Sequence, residues 1–177
     1  MTDLRFYFDG TNGTPVSGEV LLDVMISKEE KPKDIGQLKF RYSDSFFLHS
    51  ACSYDHELAI MSLGLTMSAF TYKNDGDEHA RKALHAIGCD DRTIESFRFD
   101  DQQSCADSCG YIIAAKKLPD DTFLIPVVIR SHCYGGEWVS NAHAVEEAYP
   151  DHAVGFKAAA DGVYDAVTDY LDRRGFD

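Results

Sequence analysis

Four side chains that can take part in chemistry follow one another at the end of an apolar segment. In "FLIPVVIRSHCYGGEWVSN", residues 123–141, they are Arg130, Ser131, His132 and Cys133. A cysteine thiolate beside an imidazolium is an effective nucleophile. The candidate histidine partners of Cys133 in such a dyad are His132, His143 and His152. Neighbours in sequence rarely have the geometry of a catalytic dyad, so we predict no Cys–His catalysis.

Arg130 follows the apolar segment directly, and the loop after it is built from small residues. A planar guanidinium at a strand end can hold a carboxylate or neighbouring carbonyl groups, so a structural clamp is predicted. The acidic candidates are Glu137, Asp100, Asp101 and Asp121, and the sequence does not choose among them. Gly135 and Gly136 can supply positive φ, and Trp138 can plug the core. These three residues are predicted to support the loop.

The cysteines form an odd set without regular spacing. They are Cys52, Cys89, Cys105, Cys109 and Cys133. In a chain without a secretory signal, reduced thiols are the default. A zinc site assembled from Cys105, Cys109, His132 and Cys133 would lack the C-x-x-C or H-x-x-x-H spacing of such sites. We therefore predict neither a metal nor a cofactor.

The composition suits a globular protein and limits its partners. Of 177 residues, 44% are hydrophobic, and 30 acidic against 17 basic residues give a net charge of −13. Binding of nucleic acid or of an anionic membrane surface needs clustered Lys and Arg, so both are disfavoured. The first residues lack the pattern of a signal peptide, and no apolar run is long enough to span a membrane. We expect a cytoplasmic protein.

Residues 1–50 are predicted to form a β-rich segment, a hairpin or small meander. The strand "GEVLLDVMIS" places Val20, Leu22, Val24 and Ile26 on one face. The strand "QLKFRYSDSFFLHS" places Leu38, Phe40 and Tyr42 on a buried face and sends Lys39 and Arg41 to solvent. Alternation with a period of two is typical of strands that bury one face.

Residues 51–177 are predicted to hold the helices and a second set of strands. Ser53 and Asp55 can cap the helix "HELAIMSLGLTMSAF", whose apolar circumference predicts packing on several sides. "EHARKALHAIG" is predicted as the second helix, with Ala80, Leu84 and Ile87 on one stripe, and "TIESFRF" is predicted as a strand. "YIIAAKKL" and "TFLIPVVIR" flank a proline-led turn and predict an antiparallel hairpin, which Pro126 interrupts. "GFKAAADGVYDAVTDYLDRRG" is a long helix with Phe156, Ala160, Val163, Val167, Tyr170 and Leu171 on one stripe.

Four segments of the sequence, taken in order, resemble a known protein family. They are "YDHELAIMSLGLTMSAF", "GYIIAAKKL", "FLIPVVIRSHCYGGEWVSN" and "HAVGFKAAADGVYDAVTDYL". Together they resemble the N-terminal half of bacterial α/β-hydrolases of the class 3 lipase type. In that family a strand ending in Arg-Gly-Thr leads to a Trp-containing loop, a Gly-Phe helix and then the Gly-x-Ser-x-Gly nucleophile elbow. The resemblance implies an α/β fold class, with a partial α/β-hydrolase-like sheet and flanking helices.

The resemblance also implies a role for the loop after Arg130. It places an oxyanion donor at His132, with Ser131 and Cys133 beside it. Backbone N–H groups that follow a buried strand can stabilise the negative charge of a tetrahedral intermediate. The substrate implied for the full-length family is a lipid or a small ester.

Two departures from the family pattern bear on activity. No Gly-x-Ser-x-Gly occurs in the chain, and Arg130-Ser131-His132 stands where the family has Arg-Gly-Thr. We therefore expect the N-terminal portion of a lipase/esterase-like serine hydrolase that is inactive as this chain. The alternative is a non-catalytic interaction module or a degenerate hydrolase. Without a neighbouring strand, the apolar strand 123–130 would present an exposed sheet edge, which predicts self-association.

Overall fold

A computed structural model describes residues 17–25, 35–48, 50, 52–70, 76–99, 108–118, 120–130 and 154–176. The strands are β1 (Ser17–Met25), β2 (Ile35–Ser43), β3 (Glu95–Phe97), β4 (Tyr111–Ile113), β5 (Lys116–Lys117), β6 (Phe123–Leu124) and β7 (Val127–Ile129). The helices are α1 (His56–Ser68), α2 (Glu78–Ala86) and α3 (Val154–Arg174). The protein therefore mixes α-helices with small antiparallel sheets.

The predicted N-terminal hairpin is formed by β1 and β2, which pair antiparallel. The buried residues of its inner face are Val20, Leu22, Val24, Phe40 and Tyr42, as the alternation predicts. Leu38 was predicted on this face as a buried residue, but it is exposed. Both α1 and α2 pack against β1, whereas β2 is packed mainly by α1, so the Leu38 end of β2 lacks a cover. Ile26 lies outside the described residues.

The second strand is shorter than its sequence predicts. It ends at Ser43, and a short 3-10 helix covers Asp44–Phe47. The Ser43 hydroxyl accepts a hydrogen bond from the Ser45 backbone N–H, which caps this turn and ends the strand.

The first helix begins as predicted and packs differently from the prediction. Asp55 is the N-cap, and its Oδ1 accepts from the Leu58 backbone N–H at 2.9 Å. Only one side of α1 is buried, and Leu63 on another side is 56% exposed, so the predicted packing on several sides is wrong. The apolar circumference offered several possible faces. The β1–β2 hairpin covers the face that holds Gly64, where an added Cβ would lie 2.7 Å from the Phe40 ring.

The second helix confirms its predicted stripe. Ala80, Leu84 and Ile87 are all buried, and Gly88 follows the helix with a φ of +92°. A positive φ at the residue after a helix end is readily adopted by glycine.

The predicted hairpin between residues 111–118 and 122–130 is confirmed, as is its interruption. Strand β4 pairs antiparallel with β7, and β5 pairs antiparallel with β6. Between these two ladders the carbonyl of Pro126 accepts from the Ala114 backbone N–H at 3.2 Å. Strand β3 lies on the other side of β4, which gives the order β3–β4–β7.

The three-stranded sheet β3–β4–β7 is covered on both faces. Ile112, Ala114 and Val128 belong to the core shared with α1, α2 and the N-terminal hairpin. Ile113 and Ala115 pack with Tyr170 of α3 on the opposite face. No parallel pair of strands occurs among the described residues, so a central parallel sheet is not observed there.

Helix α3 packs the C-terminal part of its predicted stripe against the sheet. Tyr170 is fully buried and donates through its hydroxyl to the Thr93 carbonyl at 2.8 Å, while Val167 and Leu171 are half-buried against the sheet. Ala160, predicted on the stripe, is exposed because the first part of the helix stands away from the sheet. No helix in the described part of the chain has the length and apolar content to cross a membrane.

A buried ion pair joins the N-terminal hairpin to the rest of the molecule. The Lys116 ammonium, 4% exposed, donates to Asp44 Oδ1 at 2.5 Å and to the Ile87 carbonyl at 2.8 Å. The Tyr42 hydroxyl also donates to Asp44, at 2.6 Å. These groups come from three segments that are distant in sequence, so the ammonium couples their positions.

Replacing Lys116 by Met is expected to destabilise the protein strongly. The change leaves the Asp44 carboxylate buried without its cation, and removing one partner of a buried pair lowers the free energy of unfolding by about 3–5 kcal/mol. The matched control is Lys117→Met, because Lys117 pairs with the exposed Asp121 and such pairs contribute about 0–1 kcal/mol. Urea unfolding measures both, and equal losses in the two variants would contradict the assignment.

The thiol of Cys89 lies beside this ion pair and predicts a sensitivity to alkali. Burial raises the pKa of the Cys89 thiol from its ordinary 9.0 to about 12. Above pH 9 the unfolded chain therefore loses this proton while the folded chain keeps it, and folding stability falls as the pH rises towards 12. Cys89→Ala should show a smaller fall in stability between these pH values than the parent.

Chemical unfolding of the parent chain and of Cys89→Ala at several pH values gives the two slopes of stability against pH. A Cys89→Ala slope that equals the parent slope would refute the contribution of the buried thiol.

Candidate functional site

The candidate site lies at the end of β7, where Arg130 is the last residue that the structure describes before the loop. The other residues that the sequence assigns to this site lie outside the described residues. They are Ser131, His132, Cys133, Gly135, Gly136 and Trp138. The geometry of the site is therefore that of Arg130 and of the strand end on which it sits.

Arg130 is fixed through both its backbone and its side chain. Its backbone N–H donates to the Gly110 carbonyl at 2.8 Å, which extends the pairing of β4 with β7 by one residue. The residue is 1% exposed. Its guanidinium carbon lies 5.2 Å from the centre of the Phe99 ring, within range for a cation–π interaction.

Gly110 makes room for this guanidinium. A Cβ at Gly110 would lie 2.8 Å from Arg130 Cζ and 2.8 Å from the backbone oxygen of Arg98. Real Cβ atoms do not approach other heavy atoms so closely, so the end of β4 accepts only glycine without rearrangement. The small residue thus allows a large cation to be buried at the point where the loop 131–133 begins.

One of the four acidic candidates for Arg130 can be set aside. Asp121 lies at the turn of the hairpin, at the opposite end from Arg130, and its Oδ1 is 2.7 Å from Lys117 Nζ. The side chain of Asp121 is 83% exposed. The remaining candidates Asp100, Asp101 and Glu137 lie outside the described residues.

The described histidines are engaged away from this strand end. His56 is exposed, and its Nδ1 is 3.1 Å from the Tyr54 hydroxyl. His79 is half-buried, with Nδ1 3.3 Å from Asp23 Oδ2. The reason is that the first turn of α2 packs on β1, which carries Asp23. His85 Nε2 lies 2.7 Å from Asp91 Oδ1.

The pair formed by Asp23 and His79 is electrostatically favourable. The hydrogen bond from Gln37 and the nearby His79 and Lys82 together lower the pKa of the Asp23 carboxyl, against the opposing effect of burial. This carboxylate therefore helps to hold α2 on β1. Nothing about its position brings it near Arg130.

The cysteines, and the histidines considered as partners of Cys133, are described only in part. Cys52 is exposed, Cys89 is buried and Cys109 is half-buried. Cys105 and Cys133, with His143 and His152, lie outside the described residues. Among the residues that the structure describes, no three His, Cys, Asp or Glu side chains are grouped so as to hold a metal ion.

A second cationic group at this end of the sheet is not indicated by the sequence. Arg98 follows β3 and takes a φ of +56°, unusual for a residue other than glycine. Its guanidinium lies over the Phe97 ring and donates to Ser108 Oγ, and the residue lines a cleft between the sheet and α3. The alternation of "TIESFRF" predicts a strand that continues through Arg98, and nothing in that pattern indicates the positive φ there.

Comparison with known proteins adds no assignment. The chain matches no protein family model, no curated protein and no solved structure.

Gly110→Ala should disturb the packing around the Arg130 guanidinium. The added methyl group meets the Arg130 guanidinium and the Arg98 backbone, and overpacking of this kind lowers stability by about 1–3 kcal/mol. Gly162→Ala is the matched control, because a Cβ there meets open space and the change favours a helix by up to about 1 kcal/mol. Urea unfolding that finds Gly110→Ala as stable as the parent would contradict this close packing.

Proposed function

We propose that this chain supplies the oxyanion-loop portion of an ester hydrolase of the class 3 lipase type. The single observation that carries the proposal is the burial of Arg130 at the end of β7. A buried guanidinium there fixes the strand end, and the resemblance assigns the oxyanion loop to the residues that follow it. The substrates we propose are carboxylic esters, either lipids or small esters.

The layering around the sheet supports this proposal. Helices lie on both faces of β3–β4–β7, so the strand that carries Arg130 belongs to a buried layer. A loop that follows a strand of such a layer is held by a rigid scaffold. Residues 131–133 follow the carboxyl end of β7 directly.

The chemistry assigned to the loop requires backbone donors. An N–H group held towards the developing oxyanion stabilises the tetrahedral intermediate, and removing one such donor slows catalysis by about 10²–10³-fold. Ser131, His132 and Cys133 are the proposed donor residues, with Arg130 holding the strand before them. The proposal requires a serine nucleophile from polypeptide outside these 177 residues, because the chain holds no Gly-x-Ser-x-Gly.

The first test reads the natural transcript beyond codon 177. A Gly-x-Ser-x-Gly within the next few dozen codons, in frame or after a frameshift, supports the hydrolase. The polypeptide that includes it should hydrolyse p-nitrophenyl butyrate and react with a fluorophosphonate probe at that serine. The chain of 177 residues serves as the control and should do neither above background.

The second test separates the backbone of His132 from its side chain. In the polypeptide that carries the serine, His132→Pro removes the N–H group and should lower kcat by about 10²–10³-fold. His132→Ala keeps the N–H group and should retain most of the activity. Equal losses in the two variants would show that the imidazole, and not the backbone donor, matters.

A non-catalytic module is the second candidate. The observation that favours it is the Ser-His sequence after Arg130, where the family has Gly-Thr. A stop codon directly after codon 177, with no Gly-x-Ser-x-Gly nearby, would support the module and reject the hydrolase.

Two further predictions from the sequence belong with this proposal. Self-association through the edge of β7 stays a prediction; Ile129 on that strand is 45% exposed, and within the described residues β7 pairs with β4 alone. A cytoplasmic location also stays a prediction.

A further inference from the structure

A pocket of about 220 Å³ opens between one face of α1 and the strand segment 124–128. Its lining residues are Phe47, Leu58, Met61, Ser62, Leu65, Thr66, Ile87, Leu124, Ile125, Pro126, Val127 and Val128. None of these twelve side chains is ionisable. In a chain with a net charge of −13, an uncharged lining favours a neutral and apolar occupant.

Helix α1 supplies one wall of the pocket from a single face. The lining positions 58, 61, 62, 65 and 66 follow the i, i+3, i+4, i+7, i+8 pattern of one helix face. Met61 on this face is 1% exposed, and Gly64 of the same helix packs closely on the Phe40 ring. The core therefore fixes this wall, and the pocket exists without a ligand to form it.

The opposite wall is the strand segment that contains Pro126. Successive side chains of a strand point to opposite faces, so lining by five consecutive residues indicates that the pocket also runs along the edge of this segment. The Pro126 carbonyl accepts from the Ala114 backbone N–H, and proline has no N–H group of its own. The interruption between β6 and β7 therefore adds no donor to this wall at Pro126.

Two lining side chains favour an aromatic occupant. The Phe47 ring is held 6.4 Å from the ring centre of the fully buried Tyr42. Aromatic rings attract one another in edge-to-face and offset arrangements, and a methionine sulfur makes favourable contacts with ring edges. A ring bound in the pocket can therefore contact both Phe47 and Met61.

The polar side chains of the lining are two hydroxyl groups on α1. Ser62 is exposed and Thr66 is half-buried. Thr66 Oγ1 donates to the Ser62 carbonyl at 3.0 Å, which uses the one donor of that hydroxyl. Neither hydroxyl can neutralise a charge, so a charged ligand would lose hydration in the pocket without gaining an ion partner.

We propose that this pocket binds a small uncharged aromatic molecule. The ring system lies between α1, with Phe47 and Met61, and the strand wall at Pro126. The size is suitable, since an apolar cavity of about 150 Å³ accepts a benzene molecule and this pocket is larger. The proposal does not depend on ester hydrolysis, because no lining residue belongs to the loop 131–133.

Indole is the probe that tests the proposal, and indole-3-carboxylate is its charged counterpart. Isothermal titration of the full chain should show saturable binding of indole at roughly millimolar concentration. Indole-3-carboxylate should bind at least about 10-fold more weakly, because its carboxylate would be desolvated without a partner.

A pair of variants tests the location of the probe. Ser62→Phe fills the pocket from α1 and should abolish indole binding. Leu63→Phe places the same ring at the next position of the helix, which is 56% exposed and does not line the pocket, so binding should persist. Thermal unfolding shows that each variant is folded before titration.

Methyl NMR locates the probe on the parent chain without any substitution. Indole should shift the methyl resonances of the lining residues Leu58, Leu65 and Ile87. The methyl resonances of Leu21 and Leu38, which are exposed on the N-terminal hairpin, should stay unchanged.

Three results would overturn the proposal. They are the absence of saturable indole binding up to about 10 mM, equal binding of indole and indole-3-carboxylate, and methyl shifts as large at Leu21 and Leu38 as at the lining residues. Unchanged affinity in folded Ser62→Phe, or an equal loss in Leu63→Phe, would place indole outside the pocket, and either result also rejects the site.

Discussion

The buried ammonium of Lys116 joins the N-terminal hairpin, the end of α2 and strand β5. A buried charge is tolerated only when it is paired and hydrogen-bonded. Its partners are Asp44 after β2, the Ile87 carbonyl after α2 and the Tyr42 hydroxyl within β2. All three must be in place together, so the N-terminal hairpin, the end of α2 and the central strands fold as coupled parts.

The same stretch of strand is also held from the α3 side. The Thr93 hydroxyl bonds to the backbone N–H of Ala115 at 3.0 Å, and Tyr170 donates to the Thr93 carbonyl at 2.8 Å. Residues 115 and 116 are thereby anchored by groups from both layers of helices. The opposite end of the sheet, where Gly110 meets Arg130, carries the loops, and functional residues are often placed on loops that a rigid scaffold supports.

The sequence predicts those features of the fold that depend on local pattern. The alternation in β1, the cap at Asp55, the stripe of α2 and the interruption at Pro126 are all visible in short windows, and each is confirmed. Burial of Lys116 is different, since Lys116 and Lys117 look alike in "YIIAAKKL". One is buried and the other pairs with an exposed aspartate because of residues far away in sequence.

The candidate site, like the fold, was predictable from the sequence only where it depends on local pattern. The position of Arg130 at a strand end was predictable from the apolar run before it. The buried environment of its guanidinium depends on Gly110 and Phe99, which two other segments supply. The conformation of Arg98 was not predictable, because the sequence pattern continues the strand while the backbone takes a φ of +56°.

The two arginines at this end of the sheet differ in role because they differ in environment. Arg130 is enclosed, with its guanidinium between Phe99 and the backbone at Gly110, so its charge acts on the protein around it. Arg98 is half-buried, with its guanidinium over the Phe97 ring and a hydrogen bond donated to Ser108 Oγ. Gly110 separates the two, because any larger residue there would press on the Arg98 backbone and the Arg130 side chain at once. A single glycine therefore sets the packing around both guanidinium-bearing residues.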